Sequence, residues 1–217
     1  MPEPVPESPG VTETGRLEAF CDGVFAIAIT LLVLEIRVPE PETARHAGGL
    51  VRALGALWPS FVGYAIGFMT IGIMWANHHT IFQYVRRSDR YFLMINVAFL
   101  MLIAFLPFPT ALLAAYLPEA EERRAAVLAY GATVWFIALA YNAVWWYAVR
   151  GGRLLDRNAD RVAVRTISNR YKLGPLAYGL VLVMAFVSPW ISLAGHVALA
   201  ALYLIPERRP ATAARTT

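Results

Sequence analysis

The chain has 217 residues, of which 58% are apolar and only 16% are charged, and its formal net charge is +4. A soluble domain carries about 25% charged residues, so the composition argues against one and predicts that most of the chain lies in lipid. The one cysteine, Cys21, excludes an intrachain disulfide.

The amino-terminal stretch MPEPVPESPGVTETG carries acidic residues and prolines where a signal peptide needs a basic start and an apolar middle. This composition predicts a disordered cytosolic tail over residues 1–15. A second disordered, basic cytosolic tail is expected over residues 206–217. The membrane domain then occupies residues 16–205.

A membrane-spanning helix needs about 20 mostly apolar residues. Six stretches meet or approach this requirement, at 17–37, 51–83, 91–117, 124–149, 173–190 and 192–205. The chain is therefore predicted to be an all-α integral membrane protein with six transmembrane helices. Pro107 and Pro109 should kink the third helix, and the SPW sequence at 188–190 should form a tight turn between the fifth and the sixth.

Basic residues in the loops predict the orientation, because cytosolic loops carry the excess of Lys and Arg. They follow the second and fourth helices and recur in the carboxyl-terminal tail: Arg86, Arg87, Arg90, Arg150, Arg153, Arg157, Arg161, Arg165, Arg170, Lys172, Arg208, Arg209 and Arg215. Both termini are therefore expected in the cytoplasm. Because topology explains these charges, no nucleic-acid partner is expected. The basic segment 150–172 is either a solvated connector, the favoured interpretation, or a surface helix that touches anionic lipid.

Asp22 is a carboxylate inside the first apolar stretch. A charge at membrane depth is costly and needs a partner or water. The second helix runs in the opposite direction and reaches the same depth at MWANHHTIF, where Trp75, Asn77 and His78 cluster. These polar groups are expected to tie the helices together, and a catalytic or transport role is the less favoured alternative.

Four residues form a stripe along the first helix. At about 100° per residue, Ile27, Thr30, Leu31 and Leu34 fall within an arc of about 100°, whereas Asp22 lies about 140° from Ile27. Such spacing more often marks an ordinary packing face than a pore lining. The spacing leaves both interpretations open.

Three segments carry a family resemblance. The stretch GRLEAFCDGVFAIAITLLVLEI resembles the Arg-x-x-x-Phe-Ser-Asp-Gly signature on the first helix of the prokaryotic transmembrane protein 175 family of potassium channels. WANHHTIF is similar to that family's Trp-x-Asn-His-His segment, and NVAFLMLIAFLPFPTALL is similar to its third helix. The signature serine is Cys21 here, which puts the small polar contact of that serine in doubt.

The resemblance implies a homotetramer in which four first helices line a central pore. It further implies a potassium-selective, leak-like channel of the bacterial plasma membrane that lacks a TVGYG filter, and this sequence contains no TVGYG. The family's narrow apolar layer and hydroxyl layer correspond to Ile27, Thr30 and Leu34, with Leu31 at the flank. The network that holds the pore helix, within one subunit or between subunits, then comprises Arg16, Phe20, Asp22, Trp75, Asn77 and His78. Expected partners are potassium ions, membrane lipid and further copies of the chain, with no cofactor other than the permeant ion.

Two other classes are weaker. An ion- or proton-coupled transporter, the main alternative, needs paired ionisable groups near the membrane centre and repeats with broken helices, whereas one carboxylate and no convincing repeat are visible. A metalloenzyme could use His78 and His79, but adjacent helical side chains diverge by about 100° and no HExxH motif is present. No enzymatic activity and no metal site are therefore expected.

Overall fold

A computed structural model describes residues 12–204, with side chains from 14 to 202. Residues 1–11 of the predicted amino-terminal tail and all of the tail predicted at 206–217 lie outside this range. Ordered structure begins before residue 16, because Thr12–Glu13 pairs with Arg87–Ser88 in a two-stranded antiparallel ribbon. The ribbon ties the start of the first helix to the loop that follows the second membrane helix.

The remainder of the described chain consists of helices joined by short loops. In chain order the elements are β1 Thr12–Glu13, α1 Gly15–Leu31, a 3-10 turn Leu32–Glu35, α2 Pro41–His46, α3 Leu50–Ala56, α4 Trp58–Tyr84, β2 Arg87–Ser88, α5 Arg90–Phe105, α6 Pro107–Tyr116, α7 Arg123–Val149, a 3-10 turn Arg150–Gly152, α8 Arg161–Tyr171, α9 Leu173–Val187 and α10 Pro189–Leu204.

Five of the described helical stretches are long and apolar enough to cross a membrane. They are Gly15–Glu35, Trp58–Tyr84, Arg90–Tyr116, Arg123–Gly152 and Arg161–Val187, and a shorter apolar helix begins at Pro189. The chain is thus an all-helical, multi-pass membrane protein. The predicted tight turn is present, since Ser188 alone separates α9 from α10.

The second and third predicted spans are each divided into two helices. The second was predicted to begin at residue 51, but α3 ends at Ala56 and α4 begins at Trp58, with Pro59 in its first turn. Proline suits the start of a helix because its missing N–H needs no partner there. In the third span the expected kink lies at Leu106, the single residue between the end of α5 at Phe105 and the start of α6 at Pro107.

The basic segment after α7 is more than a connector. It contains α8, which begins after Asp160 caps the backbone N–H of Val162. One side of α8 packs on the bundle, where Trp145 donates its indole N–H to Ser168 Oγ at 2.9 Å. The favoured interpretation of this segment as a simple solvated connector did not predict this packed helix.

Helix α7 lies at the centre of the bundle and contacts α5, α6, α9 and α10. Its Tyr130 is fully buried, and the phenol oxygen lies 3.0 Å from Thr70 Oγ1 of α4. Close approach of α4 to α6 depends on small residues, because a Cβ at Gly67 would lie 3.0 Å from Thr110 Cγ2. Gly63, one turn earlier, meets Ala114 in the same way, as expected for small residues at membrane helix interfaces.

Candidate functional site

Helix α1 presents two apolar faces in different surroundings. One face packs against α4 and α5 and buries Cys21, Phe25, Ala28 and Leu32, each at most 2% exposed. These residues recur at spacings of four, three and four, which is the period of a helix face. The packing of this face sets the rotation of α1 within the subunit.

The opposite face carries the predicted stripe and is exposed on the single subunit. Ile27 is 62% exposed, Leu34 is 69% exposed and Leu31 is 42% exposed, and Thr30 is also exposed. The first span was predicted to be helical to residue 37, but the α-helix gives way to a 3-10 turn after Leu31. Residues three apart eclipse each other in a 3-10 helix, so Leu34 stays in line with Leu31.

The Thr30 hydroxyl has a defined orientation. Its Oγ1 lies 3.0 Å from the carbonyl oxygen of Ala26 and 2.9 Å from that of Ile27. The single hydroxyl proton is donated to these backbone carbonyls. Because a hydroxyl oxygen also has two lone pairs, the exposed side of Thr30 can only accept, which is the character that suits a cation.

Asp22 and Trp75 form the predicted tie between α1 and α4. The indole Nε1 of Trp75 donates to Asp22 Oδ1 at 2.9 Å. One helical turn towards the amino terminus of α1, Glu18 Oε1 lies 3.2 Å from His79 Nδ1. The ring of His79 also stacks on that of Trp75. Both carboxylates of α1 therefore contact α4 and lie off the exposed stripe.

His78 occupies the junction of α1, α4 and α5. Its Nε2 lies 2.9 Å from Asn96 Oδ1, and Asn96 Nδ2 donates to the carbonyl oxygen of Phe92 at 2.8 Å. Because the amide oxygen accepts in this arrangement, His78 is the donor. The imidazole stacks on Phe99 and also contacts Phe25 of α1. His78 thus supports the buried face of α1 rather than contacting Asp22.

Three residues of the predicted network lie elsewhere in the subunit. Asn77 is about 200° around α4 from Trp75, and its backbone carbonyl accepts from Tyr141 Oη of α7 at 3.0 Å. Arg16 and Phe20 are exposed and lie within about 20° of Ile27 on α1, so they belong to the stripe face within one subunit. The predicted network, which could also run between subunits, therefore stays a prediction for these three residues.

Sequence reasoning missed two participants. Asn96 interrupts the apolar run of α5, and a polar residue at membrane depth signals a buried partner, so it could have been paired with His78. Glu18 lies four residues before Asp22 on the same side of α1, a spacing that places both carboxylates opposite α4. Among the described residues, no group of three or more His, Cys, Asp or Glu side chains is placed to hold a metal ion.

A groove of about 380 Å³ runs between α1 and α4 beside the Asp22–Trp75 bond. Its lining is apolar apart from these two groups and includes Ala26, Ile29 and Gly72. The groove adjoins the exposed stripe, so α1 offers a continuous uncovered surface from the stripe to α4. This chain is therefore a multi-pass helical membrane protein whose first helix is held from one side only.

Comparison with known proteins identifies the family. Residues 16–107 match the family described as "Endosomal/lysosomal potassium channel TMEM175". A Streptomyces collinus protein named as a potassium channel is 48% identical over 193 residues, which cover 89% of this chain and 92% of that protein. The chain belongs to the TMEM175 family.

Solved and vertebrate relatives extend this comparison. The crystal structure of a protein described as a lysosomal potassium-selective channel TMEM175 homolog, from Chamaesiphon minutus, matches with a TM-score of 0.80 and 43% identity. The match covers 88% of this chain and 95% of that one. The mouse protein named endosomal/lysosomal proton channel TMEM175 is 34% identical over 135 residues, covering 60% of this chain and 27% of that protein.

Proposed function

We propose that the protein is a potassium-selective, leak-like channel formed by four copies of the chain around a central pore lined by α1. The observation that carries the proposal is the uncovered apolar stripe on a helix whose other face is fully packed. One such stripe cannot enclose a conduit, whereas copies related by a closed rotation can. Relatives named as potassium channels match nearly the whole chain, which supports potassium as the ion.

In this proposal the constriction is made of apolar side chains. Four copies of Ile27 form one ring, and Leu31 and Leu34 form further rings towards the carboxyl-terminal end of α1. A narrow apolar ring excludes water, so a small change in its radius switches conduction by dewetting. This account explains conduction control without a TVGYG loop, which the sequence lacks.

Thr30 supplies the polar layer between the apolar rings. Because its proton is donated to Ala26 and Ile27, four threonines present only lone pairs to the axis. Such oxygens replace part of the hydration shell of a cation, and K⁺ loses its shell more readily than the smaller Na⁺. We propose that this difference favours K⁺.

The contacts of Asp22 and Glu18 with α4 hold the pore helix. Arg16 and Phe20 extend the stripe towards the amino-terminal end of α1, at the cytoplasmic mouth in the proposed orientation. The pairing of β1 with β2 anchors that end of α1 at the loop rich in arginine.

We place both termini in the cytoplasm and the tetramer in the bacterial plasma membrane, with six membrane helices per subunit. The two loops richest in arginine, after α4 and after α7, meet where Val85 pairs with Leu155, and cytosolic loops carry the excess of Arg.

Ion flux from liposomes tests this function. Purified protein is reconstituted over a K⁺ or a Na⁺ gradient, and a pH-sensitive dye inside the vesicles records proton entry in the same preparation. The proposal predicts K⁺ efflux well above Na⁺ efflux. Equal K⁺ and Na⁺ efflux contradicts the selectivity. Proton entry without K⁺ efflux would instead indicate a proton channel, as the mouse relative is named. Native mass spectrometry of the same sample should give four subunits.

A further inference from the structure

A second groove lies on the outer side of the bundle, between α7 and α9. Leu139, Ala143 and Trp146 line it from α7 at spacings of four and three, which places them on one helix face. Asn142 lies on the same face, and its amide Nδ2 donates to the backbone carbonyl of Ala138. Ala143 is small, so a channel of about 370 Å³ remains between the larger side chains of Leu139 and Trp146. Pro175 of α9 closes the far side. The groove is wide enough for a ligand-sized apolar group.

A cation lies at one end of this groove. Lys172, which also lines it, places its ammonium nitrogen 5.7 Å from the ring centre of Trp146. Lys172 is the only lysine of the chain, which otherwise carries arginine at its basic positions. An exposed tryptophan beside a lysine is typical of the boundary between hydrocarbon and headgroups. The groove therefore runs from headgroup depth into the hydrocarbon.

Helix α8 adds two cations on the same side. Arg161, Arg165 and Lys172 fall within about 40° of one another around the helix axis, and all three are exposed. None of the ion pairs between described residues involves any of them. The exposed Val162 lies beside this row. The Trp145–Ser168 hydrogen bond fixes α8 against the bundle, so the row is held at the end of the groove.

We propose that this site binds an anionic phospholipid of the cytoplasmic leaflet, with an acyl chain in the groove and the phosphate at Lys172. A mainly apolar groove that ends in uncompensated cations complements an amphiphile with an anionic head, and basic segments next to membrane helices attract such lipids. Free phosphate would leave the apolar part of the site unused. The site lies away from α1, and lipid binding does not depend on which ion the channel conducts.

Chemical labelling of the single lysine tests the proposal directly. The protein is placed in nanodiscs of phosphatidylcholine alone or mixed with phosphatidylglycerol, and acetylation of Lys172 is followed by mass spectrometry. If phosphatidylglycerol is present at about ten times its dissociation constant, the rate should fall about tenfold. Arg157→Lys provides a reference amine in the loop before α8, and its labelling should change much less than that of Lys172.

Two variants block the groove without touching the cations. Ala143→Phe fills the gap between Leu139 and Trp146, and Leu139→Trp fills its inner part. Both should remove most of the protection at Lys172. If phosphatidylglycerol slows acetylation equally at positions 157 and 172, the negative surface potential of the membrane explains the effect, and the specific site is overturned. Full protection of Lys172 in both variants would show that the groove holds no acyl chain. Loss of the tetramer in both variants would show that the groove is a contact between copies of the protein. Either result overturns the proposal. Labelling requires no ion flux, so this outcome is separate from that of the liposome assay.

Discussion

The two faces of α1 have nearly the same chemistry but opposite surroundings. Phe25 and Ala28 are at most 2% exposed within the subunit, whereas Ile27 and Leu34 are more than 60% exposed. In water this difference would separate core from surface, but lipid is as apolar as Leu, so hydrophobicity alone drives no choice between the faces. The rotation of α1 is determined by what is specific to one side: aromatic packing and buried hydrogen bonds.

The comparison makes a general prediction about variants. Changes on the packed face should lower stability, because they leave cavities or unpaired polar groups. Changes on the exposed face should leave the subunit folded and alter ion passage. The predictions below test that separation, beginning with the largest expected loss of stability.

Phe25→Ala should have the largest effect on stability. The ring packs against His78 and Phe99 with centroid distances of 5.5 and 5.9 Å, so its removal leaves a cavity at the junction of three helices. Much of the cost is lost packing, and we expect about 3–5 kcal/mol. Thermal unfolding in detergent measures it, with Ile27→Ala as the exposed control. A larger loss in the control than in Phe25→Ala would reverse the assignment of the faces.

Asn96→Leu should cost about 1–3 kcal/mol, because it leaves His78 buried without its acceptor. His78→Phe combined with Asn96→Leu removes both polar groups together and should recover part of that loss. Unfolding of the two single variants and the double variant gives the coupling energy. If the single and double losses simply add, the hydrogen bond does not support α1 as described.

Asp22→Ala should have a smaller effect, about 1–2 kcal/mol, because it removes the acceptor of the Trp75 indole, which is itself exposed. Asp22→Asn keeps an oxygen at that place and should retain most of the stability. Ion selectivity of the assembled variants should match the wild type. An Asp22→Ala protein that assembles normally and changes only its preference for K⁺ or Na⁺ would put this carboxylate on the conduction path.

Much of the fold was predictable because membrane-spanning helices can be recognised from long apolar stretches of sequence. Apolar runs near the length of the bilayer overlap all five helical stretches that are long enough to span a membrane, and Pro107 marked the break between α5 and α6. The division of residues 51–83 into α3 and α4 was missed, because the sequence is apolar on both sides of Leu57. The length of an apolar stretch does not show where the backbone breaks within it.

Contacts in the site were predictable where the position of a residue along its helix is enough to identify its partner. The Asp22–Trp75 contact followed from matched depth on antiparallel helices, and the structure contains it. The side of α4 on which Asn77 lies was not predictable, because depth says nothing of direction, and two residues along α4 rotate a side chain by about 200°. Arg16 and Phe20 were drawn into the network by their place in a motif. Residues that belong to the same sequence motif need not contact each other within one subunit.

Single-channel recording of Ile27→Asn beside Ala28→Asn tests the central claim most directly. The two positions are adjacent in sequence but about 100° apart on α1, and only Ala28 is buried within the subunit. If Ile27 forms the apolar constriction, the asparagine hydrates the ring, so Ile27→Asn should keep the tetramer, raise the current and reduce discrimination between K⁺ and Na⁺. Ala28→Asn should damage packing without that gain. Equal conductance in the wild type and Ile27→Asn would contradict the account.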